Sequence, residues 1–110
     1  MIIMGVYNTV TIDSEEILED FTNQDKYILY FSSEKCSVCT SILPELERIT
    51  EKLPIQVGKI DVNMNLKIAG QYLIFVTPTI IIFNEHKEVL RESRFIDFNK
   101  IERMIGLLLE

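Results

Sequence analysis

Cys36-Ser37-Val38-Cys39 holds both cysteines of the 110-residue sequence, a spacing that two randomly placed cysteines would adopt only about one time in fifty. That spacing suits thiol–disulfide exchange. A thiolate attacks a disulfide sulfur and a thiol does not, so the pair needs one sulfur that ionises near neutral pH and a second close enough to resolve the mixed disulfide. Lys35 puts a positive charge beside Cys36. If a helix starts near Cys36, its unpaired main-chain N–H groups and the positive end of its dipole stabilise the same thiolate. Cys36 is then the attacking sulfur. Cys39, one turn on and flanked by Val38, Ile42 and Leu43, is expected to be the more buried, resolving sulfur. Two other uses of the cysteines compete. A zinc or iron–sulfur site needs about four ligands, and the chain adds only His86, about 50 positions away in a turn, so a metal requires a second chain. Two buried structural thiols are the other alternative. Neither metal nor cofactor is expected.

Hydrophobic periodicity outlines the elements that must hold this pair. Val6, Val10 and Ile12 alternate with polar residues as a short strand, and Asp13 with Glu16 has capping-box spacing ahead of a helix from about Ser14 to Thr22 with Ile17, Leu18 and Phe21 on one face. Tyr27 to Phe31 is a continuous apolar run of five, the signature of a strand buried on both faces, with Tyr30 and Phe31 as core residues. Ser32 to Lys35 is a loop. From Cys36, apolar residues recur at helical spacing through Leu53, with Pro44 inside the helix and Pro54 after it. Ile55 to Val62 follows as a strand, Asn65 to Tyr72 as a short helix around Leu66, Ile68 and Ala69, and Thr79 to Phe83 as a strand. Asp61, Asn63 and Asn65 read as caps for that short helix rather than as ion ligands. Asn84 to His86 turns the chain into a charged edge strand, Glu88 to Ser93. A closing helix, capped by Asp97 or by Asn99 with Glu102, buries Ile101, Met104, Ile105 and Leu108. The order βαβαβαββα implies an α/β fold, a mixed sheet with helices on both faces, in a single domain over residues 1–110.

Composition narrows the partners. With 47% hydrophobic and 25% charged residues the chain reads as an ordinary globular domain, and its net charge of -6 argues against nucleic acid and anionic membranes. Six of the acids and none of the Lys or Arg lie in residues 1–25, the pattern of a solvated helix face. No apolar run reaches the roughly 18 residues of a membrane span, and Met1 to Gly5 carries no basic segment ahead of a hydrophobic one. The expected location is cytoplasmic and the default state a monomer.

Taken together, Tyr27 to Phe31, Cys36-Ser37-Val38-Cys39, Pro44, Lys59-Ile60-Asp61 and Thr77-Pro78-Thr79 before an apolar strand resemble thioredoxin over nearly the whole chain. The resemblance implies the thioredoxin fold, a kinked active-site helix with Pro44 five residues after the second cysteine, and a cis Thr77–Pro78 bond beside the cysteines. It implies that Thr77 and Pro78 form a shelf for a partner's extended backbone, with Lys35, Ser37, Val38 and Arg94 also facing the substrate. Several positions depart from the family. Lys35 replaces the usual tryptophan, and Ser37-Val38 replaces Gly-Pro between the cysteines. The buried aspartate that manages the second cysteine's proton falls at Tyr30, while its associated lysine is retained as Lys59. A groove glycine aligns near Arg94, which would narrow the groove or select acidic partners, and the turn glycine before the edge strand is absent.

The implied activity is that of a thioredoxin-like protein-disulfide oxidoreductase. Cys36 and Cys39 cycle between dithiol and disulfide, and a separate reductase or other dithiol donor restores the dithiol. The alternatives are a thioredoxin-fold interaction module with little redox activity and a glutaredoxin-like, glutathione-coupled reductase.

Overall fold

The computed structural model describes residues 8–110. They form β1 (Thr9–Thr11), α1 (Glu15–Phe21), β2 (Lys26–Ser32), α2 (Cys39–Thr50), β3 (Gln56–Asp61), α3 (Leu66–Gln71), β4 (Thr79–Asn84), β5 (Lys87–Ser93) and α4 (Phe98–Leu108), in the expected order. The sheet order is β1-β3-β2-β4-β5, with β1, β3 and β2 parallel and β4 and β5 antiparallel to their neighbours. Sequence-adjacent β1 and β2 therefore flank β3, and the parallel strands send their C-terminal ends to one edge.

The central strand shows why both faces need helices. Alternate residues point to opposite faces of a strand. Tyr27, Leu29 and Phe31 join a cluster with Leu18 and Phe21 of α1 and Ile68 of α3. Ile28 and Tyr30 join another with Leu46 of α2 and Ile101 and Ile105 of α4. Gly58 on β3 lets β1 and α1 close in. A Cβ there would lie 2.5 Å from Ile12 Cδ1 and 2.9 Å from Phe21 Cε2. The first described residue, Asn8, clamps the far end of α2, donating to the carbonyls of Thr50 (3.1 Å) and Leu53 (2.8 Å).

Several boundaries differ from the periodicity reading, and each difference is local chemistry. Val6 and the Met1 to Gly5 segment lie outside the described residues. Ser14, not Asp13, caps α1. Its backbone is extended (φ -156°), and its hydroxyl accepts the Ile17 N–H at 3.2 Å. Of the two caps that the sequence offered for α4, Asp97 serves, its carboxylate accepting the N–H groups of Asn99 (3.0 Å) and Lys100 (3.3 Å). Asn65 precedes α3 without a side-chain capping bond, because its amide turns back to the Asp61 carbonyl at 3.0 Å while the Asp61 carboxylate accepts the Asn63 N–H at 2.9 Å. Ile17 and Leu66, expected on buried faces, are exposed. Glu85 and His86 take positive φ (52° and 65°), the geometry of a tight hairpin turn made without glycine.

Candidate active site

The site forms where β2 and β3 end. After Ser32 the chain folds over the sheet edge in a loop pinned by Ser33. The Ser33 carbonyl accepts the Cys36 N–H at 3.0 Å, and its hydroxyl accepts from Lys35 N–H (3.2 Å) and the Asn63 amide (2.8 Å). Cys36 and Cys39 are joined by a disulfide with their Cα atoms 5.4 Å apart. Their environments differ: Cys36 is half-buried and Cys39 only 5% exposed.

Two expectations need correcting here. α2 begins at Cys39 rather than Cys36, because Cys36 to Cys39 is a turn closed by the Cys39 N–H to Cys36 carbonyl bond (3.2 Å), and Val38 contributes no side-chain cap. Cys36 thus sits just ahead of the helix instead of in its first turn. Val38, expected beside Cys39 as core, is 51% exposed and belongs to the rim with Lys35 and Ser37.

Beneath the disulfide lies a residue that the core assignment understated. Tyr30 is 1% exposed, and its hydroxyl donates to the Cys39 carbonyl at 2.9 Å. Burial pushes its phenol up to about 12, with a hydrogen bond from Ser32 pulling weakly the other way, so it stays protonated at any physiological pH. Lys59 is the parallel-strand partner of Tyr30. Both line a cleft of about 420 Å³ with Ser32, Cys39, Pro44 and Asp61. The sequence-assigned Lys59 is therefore brought to the Cys39 side of the disulfide.

The Thr77–Pro78 bond is cis. The Pro78 carbonyl accepts the Arg94 N–H at 2.8 Å, and the Thr79 hydroxyl bonds the Val76 carbonyl (2.7 Å) and the Ser93 hydroxyl (3.1 Å). These bonds fasten the start of β4 to the end of β5. Arg91 secures the preceding loop, donating to the Tyr72 carbonyl at 2.9 Å and pairing with Glu88, whose carboxyl it holds below the usual range.

Arg94 shares a shallow groove with Val38, Ser41, Ile42 and Phe95, so the rim of the cysteine turn and the segment that follows β5 face one surface. Phe95 and Phe75 are 84% and 86% exposed, two large apolar side chains that periodicity could not flag because both lie in loops. Arg94 has φ 64°, a left-handed conformation that costs a side-chain-bearing residue about 1 kcal/mol or more. Arg94→Gly is expected to stabilise the fold by about 1 kcal/mol, read as a higher denaturant midpoint at unchanged slope. A lower midpoint would mean that the arginine side chain contributes more packing than its backbone costs.

Among the described residues no group of three or more His, Cys, Asp or Glu is placed to hold a metal ion, and no helix is long and apolar enough to cross a membrane.

The family model described as Thioredoxin matches residues 8–106. The chain is 32% identical over 103 residues to the Thioredoxin-like protein YdfQ of Bacillus subtilis, covering 92% of this chain and 87% of that protein. It is 34% identical over 83 residues to the thioredoxin of Chlamydia pneumoniae, covering 74% and 81%. Among solved structures, a mutant thioredoxin from Halobacterium salinarum superposes with a TM-score of 0.86 at 22% identity, covering 100% of this chain and 97% of that one, a likeness of fold. Thioredoxin 1 from Thermosipho africanus gives 0.69 at 33% identity, covering 74% and 91%.

Proposed function

This chain belongs to the thioredoxin family and is a thiol–disulfide oxidoreductase acting on protein disulfides, and on that premise we propose how its residues divide the work. Cys36 is the nucleophile and Cys39 the resolving cysteine. The observation that carries this assignment is the unequal burial of the two sulfurs' residues, half-buried Cys36 against nearly enclosed Cys39. The Cys36 thiolate attacks a client disulfide, forming a mixed disulfide and expelling one client thiolate. Cys39 then loses its proton and attacks the Cys36 sulfur, closing the Cys36–Cys39 bond and releasing the second client thiolate. Two electrons and two protons pass to the client in all. Lys59 lines the cleft on the Cys39 side and supports the proton's passage to solvent.

Lys35, Ser37, Val38, Thr77, Pro78 and Arg94 contact the client. An extended client segment pairs with the main chain at Thr77, next to the cis-proline, in the manner of strand addition. Lys35 and Arg94 are cations on a chain of net charge -6, which favours clients with acidic residues beside their disulfide. The chain works as a single-domain monomer in the cytoplasm, regenerated by a reductase or another dithiol donor, and its chemistry needs no metal or cofactor.

The test is an equilibrium redox titration of Cys36 and Cys39 on metal-free protein, by thiol trapping and mass measurement across a dithiothreitol series. A potential near ~-270 mV is expected, that of a cytosolic reductant, while one at ~-200 mV or higher would replace this reading with glutathione coupling or an oxidising role. A protein that forms no reversible intramolecular disulfide would overturn the assignment.

A further inference from the structure

Opening the disulfide removes the covalent restraint on Cys39, and what remains decides how readily it closes again. Cys39 is the first residue of α2, where a helix is least restrained by its own bonds, and Val38 adds no side-chain cap. The Cys39 N–H bonds only across the Cys36 turn, at 3.2 Å. One turn on, Pro44 lacks the N–H that would bind the Thr40 carbonyl. The bond from the sheet is of another kind. Tyr30 is held by pairing to Ile80 on β4 and Lys59 on β3, its ring packs in the cluster with Leu46, and its hydroxyl meets the Cys39 carbonyl at 2.9 Å.

We propose that Tyr30 is a positioning residue for the resolving step: its phenol tethers the Cys39 main chain to the sheet, so that the Cys39 sulfur stays within reach of Cys36 while the disulfide is open. A group held near its target reacts at a higher effective concentration, and loss of the tether lowers that concentration without touching either sulfur. The phenol holds and does not exchange protons, since burial keeps it protonated. It therefore differs in kind from a buried carboxylate, which could accept the Cys39 proton. With Tyr30 at this position, that proton leaves by the cleft that Lys59 lines. The proposal rests on Cys36 attacking and Cys39 resolving.

Tyr30→Phe keeps the ring and deletes only the hydroxyl, so the core cluster stays filled. The reduced protein is reacted with an aromatic disulfide whose two thiolates are counted by their visible absorbance. The first release reports attack by Cys36, and the second reports resolution by Cys39. Loss of one hydrogen bond is expected to slow the second release about 3- to 10-fold across the pH range, leaving the first unchanged and the midpoint of the second's pH profile unmoved. The closing equilibrium should fall by a similar factor, making the potential about 15 to 30 mV less reducing. A variant with both unchanged, its stability lowered equally in the oxidised and reduced forms, would show the phenol to be structural only and overturn the proposal. A shifted pH midpoint at an unchanged plateau would also overturn it, by making Tyr30 a proton carrier. Cys39→Ser serves as control, because failure to trap the mixed disulfide at Cys36 there would sink the assignment of the two sulfurs irrespective of Tyr30.

Discussion

Cys36→Ser is expected to abolish catalysed reduction of protein disulfides, with turnover of insulin disulfides at least about 10³-fold below the native protein, because a hydroxyl near neutral pH supplies almost no anion for the attack. Cys39→Ser should behave differently. Cys36 remains half-buried at the surface and can still be reached by a client disulfide, so the first bond exchange survives and the second cannot occur. The variant should accumulate one equivalent of mixed disulfide at Cys36, visible as an added mass removed by dithiothreitol. The reversed pattern, trapping by Cys36→Ser, would exchange the two roles. Equal activity in Cys36→Ser and the native protein would mean that the cysteines do not carry the reaction.

Phe31→Ala should cost about 3 to 5 kcal/mol of stability, from lost burial and the cavity left behind. Phe31 is fully buried on the central strand, in the cluster with Leu29, Ile60 and Ile81, its ring centroid 5.7 Å from that of Tyr72. A domain of this size is stable by only about 5 to 15 kcal/mol, so the melting temperature should fall by roughly 15 to 30 °C. Phe31 points to the face of α1 and α3, away from the cluster that holds Tyr30. The potential of the Cys36–Cys39 pair should therefore be unchanged well below the new midpoint. A loss under about 1 kcal/mol by chemical denaturation would contradict the packing, and a shifted potential would mean that the two faces are coupled.

The order of elements was legible in the sequence because it rests on periodicity, which survives averaging over several residues. Tyr27 to Phe31 reads as a doubly buried strand and is one. The closing stripe Ile101 to Leu108 reads as a helix face, with Ile101 and Ile105 buried in the structure. Single-residue features were not legible in the same way. Ser14 in place of Asp13, and the choice of Asp97 between the two caps that the sequence offered for α4, were decided by which residue takes the extended backbone where the helix begins. The start of α2 moved from Cys36 to Cys39 because the cysteine turn closes on itself.

The candidate site divides along the same line. The chemistry is written in residue types and spacing: two cysteines three apart, a lysine beside the first, and Thr77-Pro78 before an apolar strand. How other groups are placed around that pair came with the folded chain. Tyr30 and Cys39 are nine residues apart and belong to different elements, and their bond exists because β2 and α2 pack face to face. Lys59 reaches the same cleft through its parallel register with Tyr30, and Arg94 lies by the cis-proline through its main-chain bond to Pro78. The difference is one of range. Periodicity and spacing reflect forces between neighbours along the chain, whereas a hydrogen bond or a groove depends on the mutual orientation of elements, which the packing of the whole sheet and its helices sets.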